Sequence, residues 1–237
     1  MAGAIAQRVS GMGFALVVAP VLILLIGPFD GVLMVNLCGA VSSCLVITRV
    51  WRHIDWKQYL LLAVPALVAI IPGAIVSVLL GGPVLQIVVG VILVVALTVS
   101  LLVTKSERIV PRVPAGIFSG AASGFMSATA GIGGPGVSIY SVLTRWEHRQ
   151  FAATIQPFFV TLGTVSFTSK VIASEGGLPE YDWWLWVLVI ACTIIGLILG
   201  EYLTRVVSAR IARFVVIGVS YLGGTVAIID GTLALAF

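Results

Sequence analysis

The sequence predicts an all-α, multi-pass membrane protein made of two inverted repeats, each a re-entrant or broken-helix hairpin followed by three transmembrane helices. The first observation is composition: 60% of the 237 residues are hydrophobic and only 9% are charged, whereas soluble domains carry about 25% charged residues. The second is that apolar runs long enough to cross a bilayer recur along the whole chain. The third is that most of the few charges lie in short loops between these runs.

Eight apolar segments account for nearly all of the chain. They cover residues 1–27, 31–48, 58–80, 84–104, 113–144, 150–173, 183–204 and 211–236. The net charge of +4 comes from basic residues between the segments, which indicates membrane topology rather than nucleic-acid binding. We therefore expect a lipid bilayer around the protein and no nucleic-acid partner.

The placement of basic residues predicts that segment 113–144 enters and leaves the membrane on the same side. Loops 49–57 and 105–112 are basic and two crossings apart, so both can be cytoplasmic. A single crossing by 113–144 would put Arg145 and Arg149 outside, against the positive-inside rule. With a re-entrant segment, eleven of the thirteen Lys and Arg residues are cytoplasmic. The exceptions are Arg8 and Lys170, and we expect Lys170 to extend its amino group to the membrane surface.

The length of the segment agrees with this interpretation. As one helix its 32 residues would be about 48 Å long, against a hydrocarbon core of about 30 Å. Two complete spans would need about 40 residues. Two half-helices that meet near Gly131–Gly134 fit between these limits.

The two halves of the chain share sequence landmarks. Asp55-Trp56 opens the third segment and Asp182-Trp183 opens the seventh, and a glycine follows each Trp after seventeen residues. We therefore assign residues 1–104 to a first repeat, 113–237 to a second, and 105–112 to a cytoplasmic linker. Three crossings per half make the second repeat inverted, and paired broken segments in inverted repeats indicate the binding site of a secondary transporter.

The second hairpin has its break at Ala130-Gly131-Ile132-Gly133-Gly134-Pro135. Gly131, Gly133 and Gly134 allow close backbone approach, and Pro135 suits the start of a new helix. Free amides there, such as those of Gly136 and Val137, would bind an anion at the positive end of the half-helix. The alternative is a kink with close helix packing.

The first hairpin should have its tip at Gly11-Met12-Gly13, with Pro20 further along. Pro20 cannot donate to the Leu16 carbonyl, so that carbonyl is a candidate ligand; the alternative is a simple proline kink. Arg8 is either an anion ligand or an interfacial anchor.

Polar side chains inside the apolar segments are few. Asn36, with Ser42 and Ser43 nearby, lies in the second segment, and Gln156 lies in the equivalent sixth segment. Asn36 and Gln156 could line one cavity from two sides, or they could join helices by hydrogen bonds. The glycines at 116, 120 and 124 are spaced for close helix packing.

At these residues the chain resembles the sulfite exporter TauE/SafE family, also called the toluene-sulfonate uptake permease family. The first motif is Gln7-Arg8-Val9-Ser10-Gly11-Met12-Gly13-Phe14-Ala15-Leu16 leading to Pro20. The second is Ala130–Pro135 followed by Arg149-Gln150-Phe151-Ala152-Ala153-Thr154. The resemblance implies movement of sulfite, sulfonates and other organosulfur anions across the bacterial inner membrane.

The functional hypothesis is a secondary transporter of small sulfur-containing anions that works by alternating access. No sequence motif indicates an enzyme, a metal site or a cofactor. The alternatives are an anion channel and a non-transporting membrane scaffold subunit. The sequence leaves open whether the coupling ion is H⁺ or Na⁺ and whether the chain forms a homo-oligomer.

Overall fold

The computed structural model describes residues 13–103, 109–174, 182–203 and 209–236. These ranges contain nine α-helices, one short 3₁₀ helix at Trp51–His53, and no strand. The α-helices are α1 (Gly13–Ile26), α2 (Pro28–Val50), α3 (Trp56–Leu79), α4 (Gly82–Val103), α5 (Arg112–Ala130), α6 (Gly134–Leu143), α7 (His148–Ala173), α8 (Trp183–Leu203) and α9 (Ala209–Ala236). The all-α prediction is confirmed.

Five helical stretches in the described ranges are long and apolar enough to cross a membrane: Pro28–His53, Trp56–Leu79, Gly82–Val103, His148–Ala173 and Phe214–Ala236. Their outer faces carry large apolar side chains that are exposed in the described part of the chain, such as Val68 at 67% exposure and Leu102 at 66%. An apolar surface of this kind suits lipid rather than water. The chain is therefore a multi-pass membrane protein.

Local sequence signals set two of the helix boundaries. Gly27 has φ +89° and separates α1 from α2, which begins at Pro28. The break that we expected over Gly27–Asp30 is therefore a single residue. Asp55 precedes α3, and its carboxylate accepts hydrogen bonds from the backbone N–H groups of Lys57 and Gln58 at 3.1 and 3.2 Å, as an N-cap does.

Segment 113–144 is a hairpin. It consists of α5, the break at Gly131–Gly133, and the short helix α6. The backbone N–H of Val110, before α5, donates to the carbonyl of Leu143, the last residue of α6, at 3.1 Å. The segment therefore returns to the end of the molecule where it entered, as the charge distribution predicted.

Two of the basic loops, 49–57 and 145–149, lie together at one end of the molecule. The backbone N–H of Asp55 donates to Thr154 Oγ1 at 2.9 Å, which joins the loop before α3 to the beginning of α7. Arg52, Lys57 and Arg149 line one open surface depression there. By the positive-inside rule, this end faces the cytoplasm.

Helices that occupy equivalent places in the two halves run antiparallel. Four contacts fix these directions: Phe29–Lys170 and Asp55–Thr154 between α2 and α7, and Gly90–Gly224 and Thr98–Tyr221 between α4 and α9. Inverted repeats require this relation, and the repeat assignment itself stays a prediction.

Helix α5 packs on α3 through its glycine stripe. A Cβ on Gly124 would lie 2.7 Å from Ala66 Cα, and one on Gly120 would lie 2.9 Å from Pro65 Cγ. Real Cβ atoms do not approach so closely, so the prediction of close helix packing is confirmed.

The apolar interior consists of two clusters. The first contains residues of α3 and α7 together with Ala128, Val137 and Tyr140 of the hairpin. The second contains residues of α1, α2 and α4 together with Ala130 and Ile132 at the hairpin break. The break therefore lies where the two clusters meet.

Candidate functional site

A small cavity lies beside the hairpin break, between α1, α2, α5 and α7. It is lined by Gly131, Gly133 and Gly134 from the break, Val35, Asn36, Gly39 and Ser43 from α2, Ser127 from α5, Phe159, Leu162 and Gly163 from α7, and Ala15 from α1. Its volume is about 50 Å³. A buried water needs about 10–15 Å³ by this measure, so the cavity can hold a few waters or one small oxyanion.

The carboxyl end of α5 is capped by the chain that follows it. Gly131 has φ +71°, and its N–H donates to the Ser127 carbonyl at 3.0 Å. The N–H of Ile132 donates to the Met126 carbonyl at 3.2 Å. These two amides are therefore unavailable to a ligand, and the two carbonyls are already satisfied. The positive φ explains why a glycine stands at position 131.

The amino end of α6 is open. Gly133 is its N-cap, Gly134 its first residue and Pro135, which is buried, its second. In the part of the chain that the structure describes, the N–H groups of Gly133 and Gly134 donate to no acceptor. Both residues line the cavity. They present two amide donors at the positive end of a helix, which is a typical anion site.

The amides that we expected to reach the cavity, those of Gly136 and Val137, belong to residues that do not line it. A Cβ on Gly136 would lie 3.0 Å from the Ser119 carbonyl oxygen, so this residue packs against α5. Pro135 does not line the cavity either. The helix turns these residues away from the cavity because it begins one residue before the proline.

Ser43 supplies a third donor. Its side chain is only 1% exposed, it lines the cavity, and its Oγ has no hydrogen-bond partner. Buried serines in helices usually donate to a carbonyl of the preceding turn, as Ser77 does to Ala74 at 2.8 Å. An unsatisfied buried hydroxyl at a cavity indicates that a ligand or water belongs there.

Asn36 lines the cavity and also joins two helices. Its Nδ2 donates to the Ser127 carbonyl at 3.1 Å, and its Oδ1 accepts from Ser127 Oγ at 3.1 Å. Ser166 Oγ of α7 donates to Ser127 Oγ at 3.2 Å. Asn36 therefore lines the cavity and also joins helices by hydrogen bonds. Its network holds α2, α5 and α7 together around the cavity.

Gln156 is not part of the cavity lining. Its Nε2 donates to the Ala152 carbonyl at 3.2 Å, and its buried Oε1 has no partner. The expectation that Asn36 and Gln156 line one cavity is therefore met only by Asn36. Phe159, one turn further along α7, takes the place expected for Gln156.

The tip predicted for the first hairpin lies mostly outside the described residues. Arg8 and Gly11 lie outside the described residues, and Gly13 is the first residue of α1. Pro20 packs against Gly223 of α9, with its Cγ 2.8 Å from a Cβ built there.

The Leu16 carbonyl, which Pro20 leaves without its helical donor, lies 2.9 Å from Ser220 Oγ, whose single proton is shared between this carbonyl and the Val216 carbonyl at 2.6 Å. That carbonyl serves helix packing, and the proline-kink alternative describes this part of the structure. Of the α1 residues whose side chains the structure describes, Ala15 lines the cavity.

Sequence reasoning missed Gly39, Gly163 and Phe159 and did not single out Ser43. For Gly39 and Ser43 the sequence did carry a signal, which is their spacing from Asn36. The three residues follow one another by three and four positions, which places them on one helix face. That face meets the hairpin break.

None of the described lining residues of the cavity carries a charged side chain. Within the described ranges, no group of three His, Cys, Asp or Glu side chains could hold a metal ion. The donors that these described residues offer to an anion are amides and hydroxyls.

Comparison with protein families gave one match: the model described as "Sulfite exporter TauE/SafE" matches residues 1–226. Searches of curated proteins and of solved structures gave no significant match.

Proposed function

Because the chain belongs to the sulfite exporter TauE/SafE family, we propose that it is a secondary transporter whose central cavity binds small sulfur-containing anions such as sulfite. The family consists of sulfite and sulfur-anion permeases. The proposal adds a binding site, alternating access about that site, and a location in a bacterial inner membrane. The enclosing helices supply the donors, and the substrate supplies the charge.

The observation that supports this proposal most directly is the meeting of three unused donors in one cavity. Among the described residues, the N–H groups of Gly133 and Gly134 and the hydroxyl of Ser43 have no acceptor. A hydrogen bond to a charged group contributes about 1.5–3 kcal/mol, and the amino end of α6 adds a partial positive charge. Two carbonyls at the carboxyl end of α5, those of Met126 and Ser127, already accept hydrogen bonds from Ile132 and Gly131, so they do not compete with the amide donors for a ligand.

The size of the cavity supports a small substrate. Its volume of about 50 Å³ suits a compact oxyanion such as sulfite, whereas an aromatic sulfonate would need the surrounding helices to separate. We therefore propose that transport prefers sulfite and the smallest organosulfonates over larger ones.

Alternating access requires that two halves move about the cavity. The antiparallel relation of α2 to α7 and of α4 to α9 supports the inverted arrangement that such movement uses. Residues 1–104 and 113–237 are the proposed halves, and 105–112 is the proposed linker between them.

The test is transport of radiolabelled sulfite into lipid vesicles that contain the purified protein. Saturable flux with counterflow supports the transporter, and flux that rises without saturation supports a channel. Flux equal to that of empty vesicles for sulfite and for every small sulfonate refutes the proposal and favours the scaffold alternative.

A cavity-filling variant ties any flux to the proposed site. Gly39 lines the cavity, and a Cβ built on it meets no atom within 4 Å. Gly39→Val should therefore fill the cavity and abolish sulfite flux without unfolding the protein. Gly218→Val is the matched control, because Gly218 of α9 also has open space around it and does not line the cavity. Full flux in Gly39→Val would show that the anion passes elsewhere.

A further inference from the structure

Lys170 is buried in a way that its sequence context does not explain. We expected its amino group to reach the membrane surface, because the residue lies near the end of α7. The structure shows the opposite: its side chain is 0% exposed, and Nζ has no hydrogen-bond partner. Among the described residues, Lys170 is the only ionisable Lys, Arg, Asp or Glu whose side chain is buried.

The surroundings of Lys170 stabilise a positive charge only in part. Nζ lies 4.5 Å from the centre of the Phe29 ring, which is a cation–π geometry. The Asp30 carboxylate acts on it electrostatically without accepting a hydrogen bond. An ammonium group has three N–H donors, and all three lack an acceptor here. Ionisable side chains inside the membrane-spanning part of a protein are rare and often mark a substrate or ion pathway.

Lys170 lies on the same interior seam as the central cavity. Gly163, Ser166 and Lys170 occupy one face of α7, because they are three and four residues apart. Gly163 lines the cavity, and Ser166 donates to the network beside it. Seven residues of helix correspond to about 10 Å, so Lys170 is that far from the cavity along α7.

Lys170 also lies on the outer side of the cavity. Phe29, its neighbour on α2, is at the end of that helix opposite the basic loops. The cytoplasmic end of the same helix pair is marked by the Asp55–Thr154 hydrogen bond. An anion that moves between the cavity and the outer face along this seam would pass Lys170.

We propose that Lys170 is a second anion-binding residue, which holds a small sulfur oxyanion by its ammonium group at the outer end of the transport path. This inference rests on the proposed function and adds to it a cationic site, which the described lining residues of the cavity do not supply. Asp30 helps to hold the ammonium in place when no anion is bound. The oxyanion accepts from the three free N–H donors when it arrives.

The test compares Lys170→Gln, which removes the charge, with Lys170→Arg, which keeps it. In vesicles, Lys170→Gln should raise the KM for sulfite about tenfold or more, and Lys170→Arg should restore part of the affinity. Lys57→Gln is the matched control, because Lys57 is an exposed lysine at the cytoplasmic end and should leave KM unchanged. An unchanged KM in Lys170→Gln, or an equal loss in Lys170→Arg, overturns the inference.

A binding measurement separates this inference from the proposed function. Sulfite should raise the melting temperature of the purified wild-type protein in detergent, and Lys170→Gln should show a smaller rise. If the wild type shows this rise but no flux, the transport proposal fails and the anion site stands. If sulfite gives the same rise in both proteins, or in neither, the anion site at Lys170 is refuted.

Discussion

Replacing Ser43 by alanine should lower anion affinity while leaving the fold as stable as before or more so. The Ser43 hydroxyl is buried and has no hydrogen-bond partner among the described residues. An unsatisfied buried hydroxyl costs the protein about 1–3 kcal/mol, and alanine removes that cost. The same hydroxyl would donate to a bound anion, and losing a hydrogen bond to a charged group costs about 1.5–3 kcal/mol of binding. The expected loss of affinity is about 10- to 100-fold.

The assay measures sulfite affinity and stability against unfolding on the same protein samples. Sulfite affinity is measured by calorimetry on the detergent-purified protein, and unfolding is followed without ligand. Ser77→Ala is the matched control, because Ser77 is equally buried, does not line the cavity and donates to the Ala74 carbonyl at 2.8 Å. That variant should keep its affinity and lose about 1 kcal/mol of stability.

A binding residue is identified when its substitution lowers the sulfite affinity and does not lower the stability of the ligand-free protein. A Ser43→Ala protein that is less stable and binds sulfite as well as the wild type does would refute the reasoning. In that case the Ser43 hydroxyl would stabilise the fold and would not bind the anion.

Three further predictions concern the packing and topology of the helices. Gly124→Ala should destabilise the protein by about 1–3 kcal/mol, since its Cβ would meet the backbone of α3, whereas Gly218→Ala has open space and should be neutral or stabilising in thermal unfolding. Ser220→Ala removes the hydroxyl beside the Leu16 carbonyl, which has no helical donor because of Pro20. The substitution should lower the free energy of unfolding by about 1 kcal/mol, again measured by thermal unfolding. No change would mean that another donor replaces the hydroxyl. In a background without native cysteines, cysteine at Glu147 should react with an impermeant reagent only from the cytoplasmic side, and cysteine at Gly81 only from the outside. Labelling of both positions from one side would contradict the re-entrant hairpin.

The hairpin could be predicted because two features of segment 113–144 and its flanking loop, the position of the basic residues and the segment's length, lead independently to the same conclusion. Arg145 and Arg149 have to be cytoplasmic, and a stretch of 32 apolar residues is too long for one span and too short for two. The hydrogen bond between Val110 and Leu143 is the structural counterpart of that argument. The glycines at the break and their place beside a cavity followed from the same reasoning, because irregular backbone at membrane depth needs protein or water around it.

The misassigned residues share a different cause: their partners are far away in sequence. The Leu16 carbonyl finds its donor 204 positions further along the chain, and no local pattern indicates that pairing. Whether Lys170 reaches the surface depends on Phe29 and α2, which cover it. The choice between Gln156 and Ser43 depends on which helix face meets the break, and that is decided by tertiary packing.

The hairpin is shared between the two apolar clusters, and this has a mechanical consequence. Ala128 and Tyr140 are held by the cluster around α3 and α7, whereas Ala130 and Ile132 are held by the cluster around α1, α2 and α4. The few residues of the break are therefore the part of the hairpin that joins the two clusters. Three of those residues, Gly131, Gly133 and Gly134, also line the cavity. An occupant of the cavity would thus touch the segment that couples the two apolar clusters to each other.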